Sequence, residues 1–295
     1  MKKAVFFAIL AAALYALNSP FSKLLLQDAP PTMMAGFLYL GAGLGMGMLG
    51  LIRARGGRKE APLTRRDLPY TLGMVVLDIA APIFLMLGLK STTAANASLL
   101  NNFEIVATSL IAMLAFREKI SRRLWLAIGL ITLSSLLLSL EDADSLRFST
   151  GSLFVLLACV CWGLENNCTR NLSHSDPLEI VVIKGLGSGL GSIVIGLVVG
   201  EALPVWSDIL KILLLGFVAY GLSIYFYVYA QRDLGAAKTS AYYAVAPFIG
   251  VLLSFIIFKA IPGALFFVAL VIMIAGTWMV NRDPAEPSFK RDKTQ

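Results

Sequence analysis

The sequence predicts an all-α integral membrane protein, with about ten transmembrane helices arranged as two inverted five-helix repeats. Three observations carry this reading: a composition too apolar for water, apolar segments of membrane-spanning length, and a chain that resembles itself at an offset of about half its length. Of 295 residues, 58% are hydrophobic and 15% are charged, whereas soluble domains average about 25% charged. The charges collect in short patches, so the stretches between them must face lipid or one another.

The apolar segments run from Ala4 to Leu26, Thr32 to Ile52, Leu68 to Leu89, Ala94 to Phe116 and Leu124 to Leu140 in the first half. In the second half they run from Gly151 to Cys168, Leu178 to Val199, Ile209 to Ala230, Ala236 to Phe258 and Ala264 to Val280. Each is near the roughly 17 to 25 residues a helix needs to cross the hydrocarbon. A backbone with no water to bond must satisfy itself there, which makes the segments helical. Lys2 and Lys3 before the first segment give it the outline of a signal peptide. Cleavage would delete the first element of the repeat, so we read it as a retained span.

The loops test this topology, because lysine and arginine collect on the cytoplasmic side. With the N-terminus inside, the cytoplasmic segments hold Lys2, Lys3, Arg53, Arg55, Arg58, Lys59, Arg65, Arg66, Arg117, Lys119, Arg122, Arg123, Arg170, Arg232, Arg282, Lys290, Arg291 and Lys293. The other basic residues are Lys23, Lys90, Arg147, Lys211 and Lys259 in outer loops and span ends, and Lys184 and Lys238 within spans. Asp28, Glu141, Asp142, Asp144, Glu201 and Asp208 fall outside. The net charge of +7 is thereby explained by topology, without a nucleic-acid partner. The reading is a multi-pass protein of the inner cell membrane with both termini cytoplasmic.

A shift of 147 residues places Tyr15-Ala16-Leu17-Asn18 over Trp162-Gly163-Leu164-Glu165, Ser22-Lys23 over Thr169-Arg170, and Pro30 over Pro177. A shift of 142 places Gly88-Leu89-Lys90 over Ala230-Gln231-Arg232, Ala94-Ala95 over Ala236-Ala237, Ser98 over Ser240, and Phe116-Arg117 over Phe258-Lys259. The repeats are assigned to residues 1–146 and 147–281, with a basic cytoplasmic tail at 282–295. An odd number of spans per repeat makes the second copy enter the membrane from the opposite side.

These features resemble the drug/metabolite transporter superfamily in its ten-span, EamA-type form. The resemblance covers nearly the whole chain. It rests on the five-span duplication, the alanine-rich runs Thr93-Ala94-Ala95-Asn96-Ala97-Ser98 and Gly235-Ala236-Ala237-Lys238-Thr239-Ser240-Ala241, Ala246-Pro247, and Phe116-Arg117-Glu118-Lys119-Ile120. It implies export of amino acids, their derivatives, drugs or other metabolites. The chain departs from the family pattern at Asn101-Asn102-Phe103-Glu104, at Lys259-Ala260-Ile261-Pro262, and near Gly36-Phe37-Leu38-Tyr39, where a basic residue common in relatives is absent.

A charge at the bilayer centre costs about 2.5 to 3.5 kcal/mol on insertion scales, so each one needs a partner, a wet cavity or a task. Glu104 lies near the middle of the fourth segment and Asp78 near the middle of the third. Burial disfavours a carboxylate's charged form, which suits a group that takes and releases protons. Helical spacing puts Asn101 and Thr108 one turn either side of Glu104. The structural alternative is a carboxylate that only locks packing. Glu165 and Lys184, in consecutive spans, are placed to pair, as a path element or as a structural ion pair; Asn18 occupies the position of Glu165 in the first copy. Tyr15 and Trp162 match across the repeats, and Tyr220 aligns with Asp78. Rings with polar tips suit an amphipathic cargo, while Tyr227 and Tyr229 read as interfacial belt residues.

Gly41, Gly43, Gly45 and Gly47 recur as Gly185, Gly187, Gly189 and Gly191, a small-residue pattern for close helix approach and not a phosphate loop. Pro20, Pro82 and Pro247 interrupt spans and provide bends. Cys159, Cys161 and Cys168 read as small buried apolar residues. No catalytic residue, cofactor or metal is expected. The expected partners are a small-molecule substrate, the lipid bilayer and protons, in a monomer or homodimer. The leading expectation is a secondary exporter of amino acids or related metabolites working by alternating access; the alternative is efflux of cationic or aromatic drugs. A membrane-embedded enzyme acting on a lipid, with Asp78, Glu104 and Glu165 as acid, base or ligands, lacks any supporting motif, and a receptor or assembly subunit is the remaining class.

Overall fold

The computed structural model describes residues 2–54, 61–116, 121–142, 147–172, 175–234 and 242–281. The Gly235 to Ala241 run, Arg117 to Ile120, Arg55 to Glu60, His174 and the tail 282–295 lie outside the described residues. In chain order the helices are α1 (Lys2–Ala16), α2 (Asn18–Leu25), α3 (Pro31–Ala54), α4 (Leu68–Ser91), α5 (Ala94–Leu100), α6 (Phe103–Phe116) and α7 (Arg122–Ser139). A short antiparallel ribbon, β1 (Leu140–Asp142) and β2 (Arg147–Phe148), then leads into α8 (Thr150–Leu172), α9 (Pro177–Val198) and α10 (Trp206–Gly216). A π-helix over Phe217–Leu222 joins α10 to α11 (Ser223–Leu234), and α12 (Ala246–Phe258) and α13 (Ala264–Asn281) complete the fold.

Seven helical stretches among the described residues are long and apolar enough to cross a membrane, and α12 and α13 are shorter apolar helices. The distribution of polarity is that of a lipid-embedded protein. Phe6, Leu51, Val76, Leu114, Val198 and Val271 are exposed, while Asp78, Glu165, Lys184 and Asn18 are buried. In water this would be reversed.

Several expected spans are broken, each for a local reason. Pro20 has no N–H for the carbonyl of Ala16 four residues back, and the first rod divides at Leu17. The fourth divides at Asn101 and Asn102, where the Asn102 amide bonds its own backbone at the Leu99 carbonyl, 3.4 Å away, in competition with the helix ladder. Pro247 stands in the first turn of α12, where a missing N–H costs nothing. Pro82, by contrast, sits inside a continuous α4 and does not interrupt it.

Grouped as ten rods (α1–α2, α3, α4, α5–α6, α7, then α8, α9, α10–α11, α12, α13), the packing maps onto itself when the two copies are exchanged. The second rod packs on the seventh, the fourth on the ninth and the fifth on the tenth. The third lies on the sixth as the eighth lies on the first, and the second lies on the eighth as the seventh lies on the third. This is the pattern of a pseudo-twofold axis relating two inverted copies.

The glycine runs make the central contact possible. A Cβ on Gly43 would stand 2.6 Å from the Leu186 backbone nitrogen, and one on Gly185 2.3 Å from that of Gly43. Here α3 and α9 touch backbone to backbone. At one end of this pair Gly200, with φ of 80°, turns the chain so that Glu201 caps the start of α3. Its carboxylate accepts from the Thr32 and Met33 amides at 3.2 and 2.8 Å. At the other end Asp176 caps α9, accepting from the Leu178 amide at 3.0 Å, and pairs with Arg53 of α3.

Candidate functional site

Four helices bring charged and phenolic groups together around the α3–α9 contact. Lys184 of α9 lies 3.0 Å from the Asp78 carboxylate of α4 and 2.9 Å from Glu165 of α8. Tyr39 of α3 donates its hydroxyl to the other Asp78 oxygen at 3.0 Å, and Thr169 donates to Glu165. All three charged residues are buried, with Asp78 fully enclosed. The expected Glu165 and Lys184 pair is therefore present as part of a triad, with one ammonium between two carboxylates and a formal charge of −1. With Tyr39 the cluster draws two residues from each half of the chain: Tyr39 and Asp78 from the first, Glu165 and Lys184 from the second.

A column of rings continues from this cluster. Tyr39 packs on Tyr220 with centroids 4.9 Å apart. Tyr220 meets Tyr15 edge-on at 5.9 Å, and Tyr15 lies 5.7 Å from Tyr243. The π-helix that carries Tyr220 widens the backbone at this depth, a distortion that recurs at functional sites. Asn18 donates to the Tyr220 hydroxyl at 2.8 Å and accepts from Ser22 at 2.9 Å. Trp162 is buried. The repeat relation pairs Asn18 with Glu165 and Tyr220 with Asp78, so the Asn18–Tyr220 hydrogen bond is the neutral mirror image of the charged triad.

Glu104 stands apart from that triad. It stands in the first turn of α6, after the break in the fourth rod, at the end of the helix whose dipole favours a carboxylate. Its partner is Asn166 of α8, which donates at 2.6 Å and also reaches the Thr108 hydroxyl at 3.4 Å. Helical spacing predicts Asn101 and Thr108 on one continuous helix with Glu104. The break puts Asn101 at the end of α5 instead, and only its backbone carbonyl meets Glu104, accepting from the Glu104 amide at 3.1 Å.

Sequence reasoning missed Tyr39 and Asn166. The signal for Tyr39 was a lone phenol in a span made mostly of glycine, alanine, methionine and leucine. Asn166 gave none beyond its neighbour Glu165, because its role depends on which helix faces it. Tyr227 packs against Tyr243 at 4.9 Å and is half-buried, an inward contact that the belt reading did not foresee. Of the cysteines only Cys159 is buried; Cys161 and Cys168 are half-exposed on α8. No group of three or more His, Cys, Asp or Glu side chains is clustered among the described residues.

The model of the EamA-like transporter family matches this chain twice, over residues 2–140 and 149–282. An uncharacterized transporter of Methanothermobacter thermautotrophicus is 26% identical over 293 residues, covering 92% of this chain and 84% of that protein. The uncharacterized transporter YyaM of Bacillus subtilis is 23% identical over 214 residues, 68% of each. A crystal structure described only as that of a protein superposes with a TM-score of 0.68 at 18% identity, over 96% of this chain and 98% of that one, which speaks to the fold alone. With both halves matched and seven apolar helical stretches of spanning length among the described residues, the chain belongs to the EamA-like transporter family and is a multi-pass membrane transporter.

Proposed function

We propose that the chain is a secondary exporter of amino acids or closely related amphipathic metabolites, driven by protons, whose two inverted halves rock about the α3–α9 contact. The observation that carries this reading is the Asp78–Lys184–Glu165 triad, which joins the halves at membrane depth with one negative charge uncompensated. One proton makes the cluster neutral. A group that is neutral in one state and charged in the other biases which compartment the site faces. Ten crossings, cytoplasmic termini, an inner-membrane location and repeats bounded at 1–146 and 147–281 belong to the same proposal.

The cargo site lies beside the ring column, between Tyr15, Tyr220 and Trp162 and the Glu104–Asn166 pair. Rings take the apolar part of such a cargo, and Glu104 takes its ammonium group. The ring column also supports a second reading, efflux of cationic aromatic compounds, since phenol rings hold cations by their faces. Purified protein in proteoliposomes separates the two. Counterflow of radiolabelled phenylalanine and leucine, with ethidium as the cationic aromatic probe, would be measured with and without an imposed pH gradient. The reading requires amino-acid flux that follows the gradient, is lost in Glu104→Gln, and loses its pH dependence in Asp78→Asn. Flux of ethidium alone favours the second reading, and flux of neither removes both.

A further inference from the structure

We infer that the junction of α1, α2, α5 and α12 is a binding site for one sodium ion. Three kinds of oxygen converge there. Ser98 Oγ and Asn101 Oδ1 are enclosed, with no hydrogen-bond partner among the described residues, in side chains only 3% and 7% exposed. Both line a cavity of about 10 Å³ together with Tyr15, Ala16, Ser19 and Gly250, the room of a single water-sized particle. The third oxygen is the Ala16 carbonyl at the carboxyl end of α1, whose helical partner is removed by Pro20.

The glycine in the wall shows how these oxygens are aimed. A Cβ built on Gly250 would lie 2.7 Å from Ser98 Oγ and 3.4 Å from the Ala16 carbonyl oxygen. One methyl group would fill the space that the two oxygens face. The repeat relation shows why the space exists. Ser19, Ala246 and Gly250 correspond to Asn166, Glu104 and Thr108 in the other copy, where amide, carboxylate and hydroxyl occupy one another. Three smaller residues stand in their place here.

The chemistry selects the ion. Unpaired carbonyl and hydroxyl oxygens at the negative end of a helix attract a cation, and interrupted helices supply such ligands in other membrane carriers. Magnesium and calcium sites are usually built on one or more carboxylates, and no carboxylate lines this cavity. The ligands are neutral and the space is small, which fits a bare monovalent ion of sodium's size. The nearest acid in sequence is Glu104, which opens α6 three residues after Asn101. The three oxygens belong to the first half of the chain, and α12 of the second half closes the cavity over them at Gly250, so a bound ion lies where the two halves meet. If the transporter reading holds, sodium is then a second coupling or locking ion; binding itself does not depend on that reading.

The test uses the purified full chain in detergent, without any cargo. Melting is followed in sodium, potassium and choline chloride at equal ionic strength, and ²²Na⁺ binding is measured directly. We expect saturable binding of one ion per chain and a rise in melting temperature of roughly 5 °C in sodium alone. Ser98→Ala removes one ligand and Gly250→Ala fills the cavity; each should weaken sodium binding about tenfold or more. Ser98→Ala should melt like the parent in choline chloride, so that loss of binding is not loss of fold. Equal melting in all three salts without saturable ²²Na⁺ would leave the cavity as a water site and overturn the inference. So would potassium matching sodium, or undiminished sodium binding in both variants. Sodium binding in a protein that moves no tested solute would instead count against the transport reading and leave the ion site standing.

Discussion

Lys184→Met is the most informative single change at the charged triad. The lysine stands 3.0 and 2.9 Å from two enclosed carboxylates. At an effective dielectric of about 20, each such pair has a gross attraction of about 5 to 6 kcal/mol, most of which is offset by desolvation of the ions. Removing the shared cation leaves Asp78 and Glu165 buried with no partner charge. The net cost of orphaning a buried pair is about 3 to 5 kcal/mol, which for a chain of this size lowers the melting temperature by roughly 10 °C. Asp78→Asn should behave differently. The amide oxygen still accepts from Tyr39, the Lys184–Glu165 pair remains, and the cluster becomes neutral, so melting should change by no more than about 3 °C. The assay is thermal unfolding of the purified variants in detergent, followed by tryptophan fluorescence. Combining Lys184→Met with Asp78→Asn and Glu165→Gln should recover most of the loss, because no uncompensated charge is left. If Lys184→Met melts with the parent, or if Asp78→Asn is as damaging as Lys184→Met, the triad does not hold a net negative charge and the reasoning fails.

Other expectations follow from the packing and the caps. Gly43→Val places a branched side chain where a single Cβ already lies 2.6 Å from the Leu186 backbone nitrogen; it should separate α3 from α9, cost more than about 3 kcal/mol and abolish folded protein on size exclusion, whereas Gly129→Ala, which meets nothing within 4 Å, should leave the elution profile unchanged. Glu201→Ala removes the cap from the Thr32 and Met33 amides and should lower stability by about 1 kcal/mol, read as a small fall in melting temperature. Asn18→Leu deprives the Tyr220 hydroxyl of its donor; a loss of about 1 to 3 kcal/mol is expected, and a variant as stable as the parent would mean that water replaces the amide. Asp176→Ala removes both the α9 cap and a partner of Arg53, and protease access to the loop between α3 and α4 should rise.

The class of fold was legible because it depends on quantities a sequence carries directly. Hydrophobicity over lengths set by the bilayer marks the spans, and the duplication is a property of residue order alone. The glycine runs of α3 and α9 were also readable, since only small residues let two backbones meet, and the structure places Gly43 against Gly185. The pairing of Glu165 with Lys184 could be anticipated, as a lone charge in a span demands an opposite one nearby.

Tertiary structure decided how those pieces meet. Nothing in residue order indicated that Asp78 would join Lys184, that Tyr39 would bond Asp78, or that Asn166 rather than Asn101 would hold Glu104, because each contact joins helices far apart in the chain. The helix breaks at Leu17 and Asn101 had local causes, a missing N–H and competing amides, yet whether such a residue bends, breaks or leaves a helix intact depends on what its neighbours offer: Pro82 left α4 whole. Sequence alone determined that charges would lie within the spanning helices; only the folded chain determined which of them neutralise one another, because that is settled by distances of about 3 Å between side chains carried on different rods.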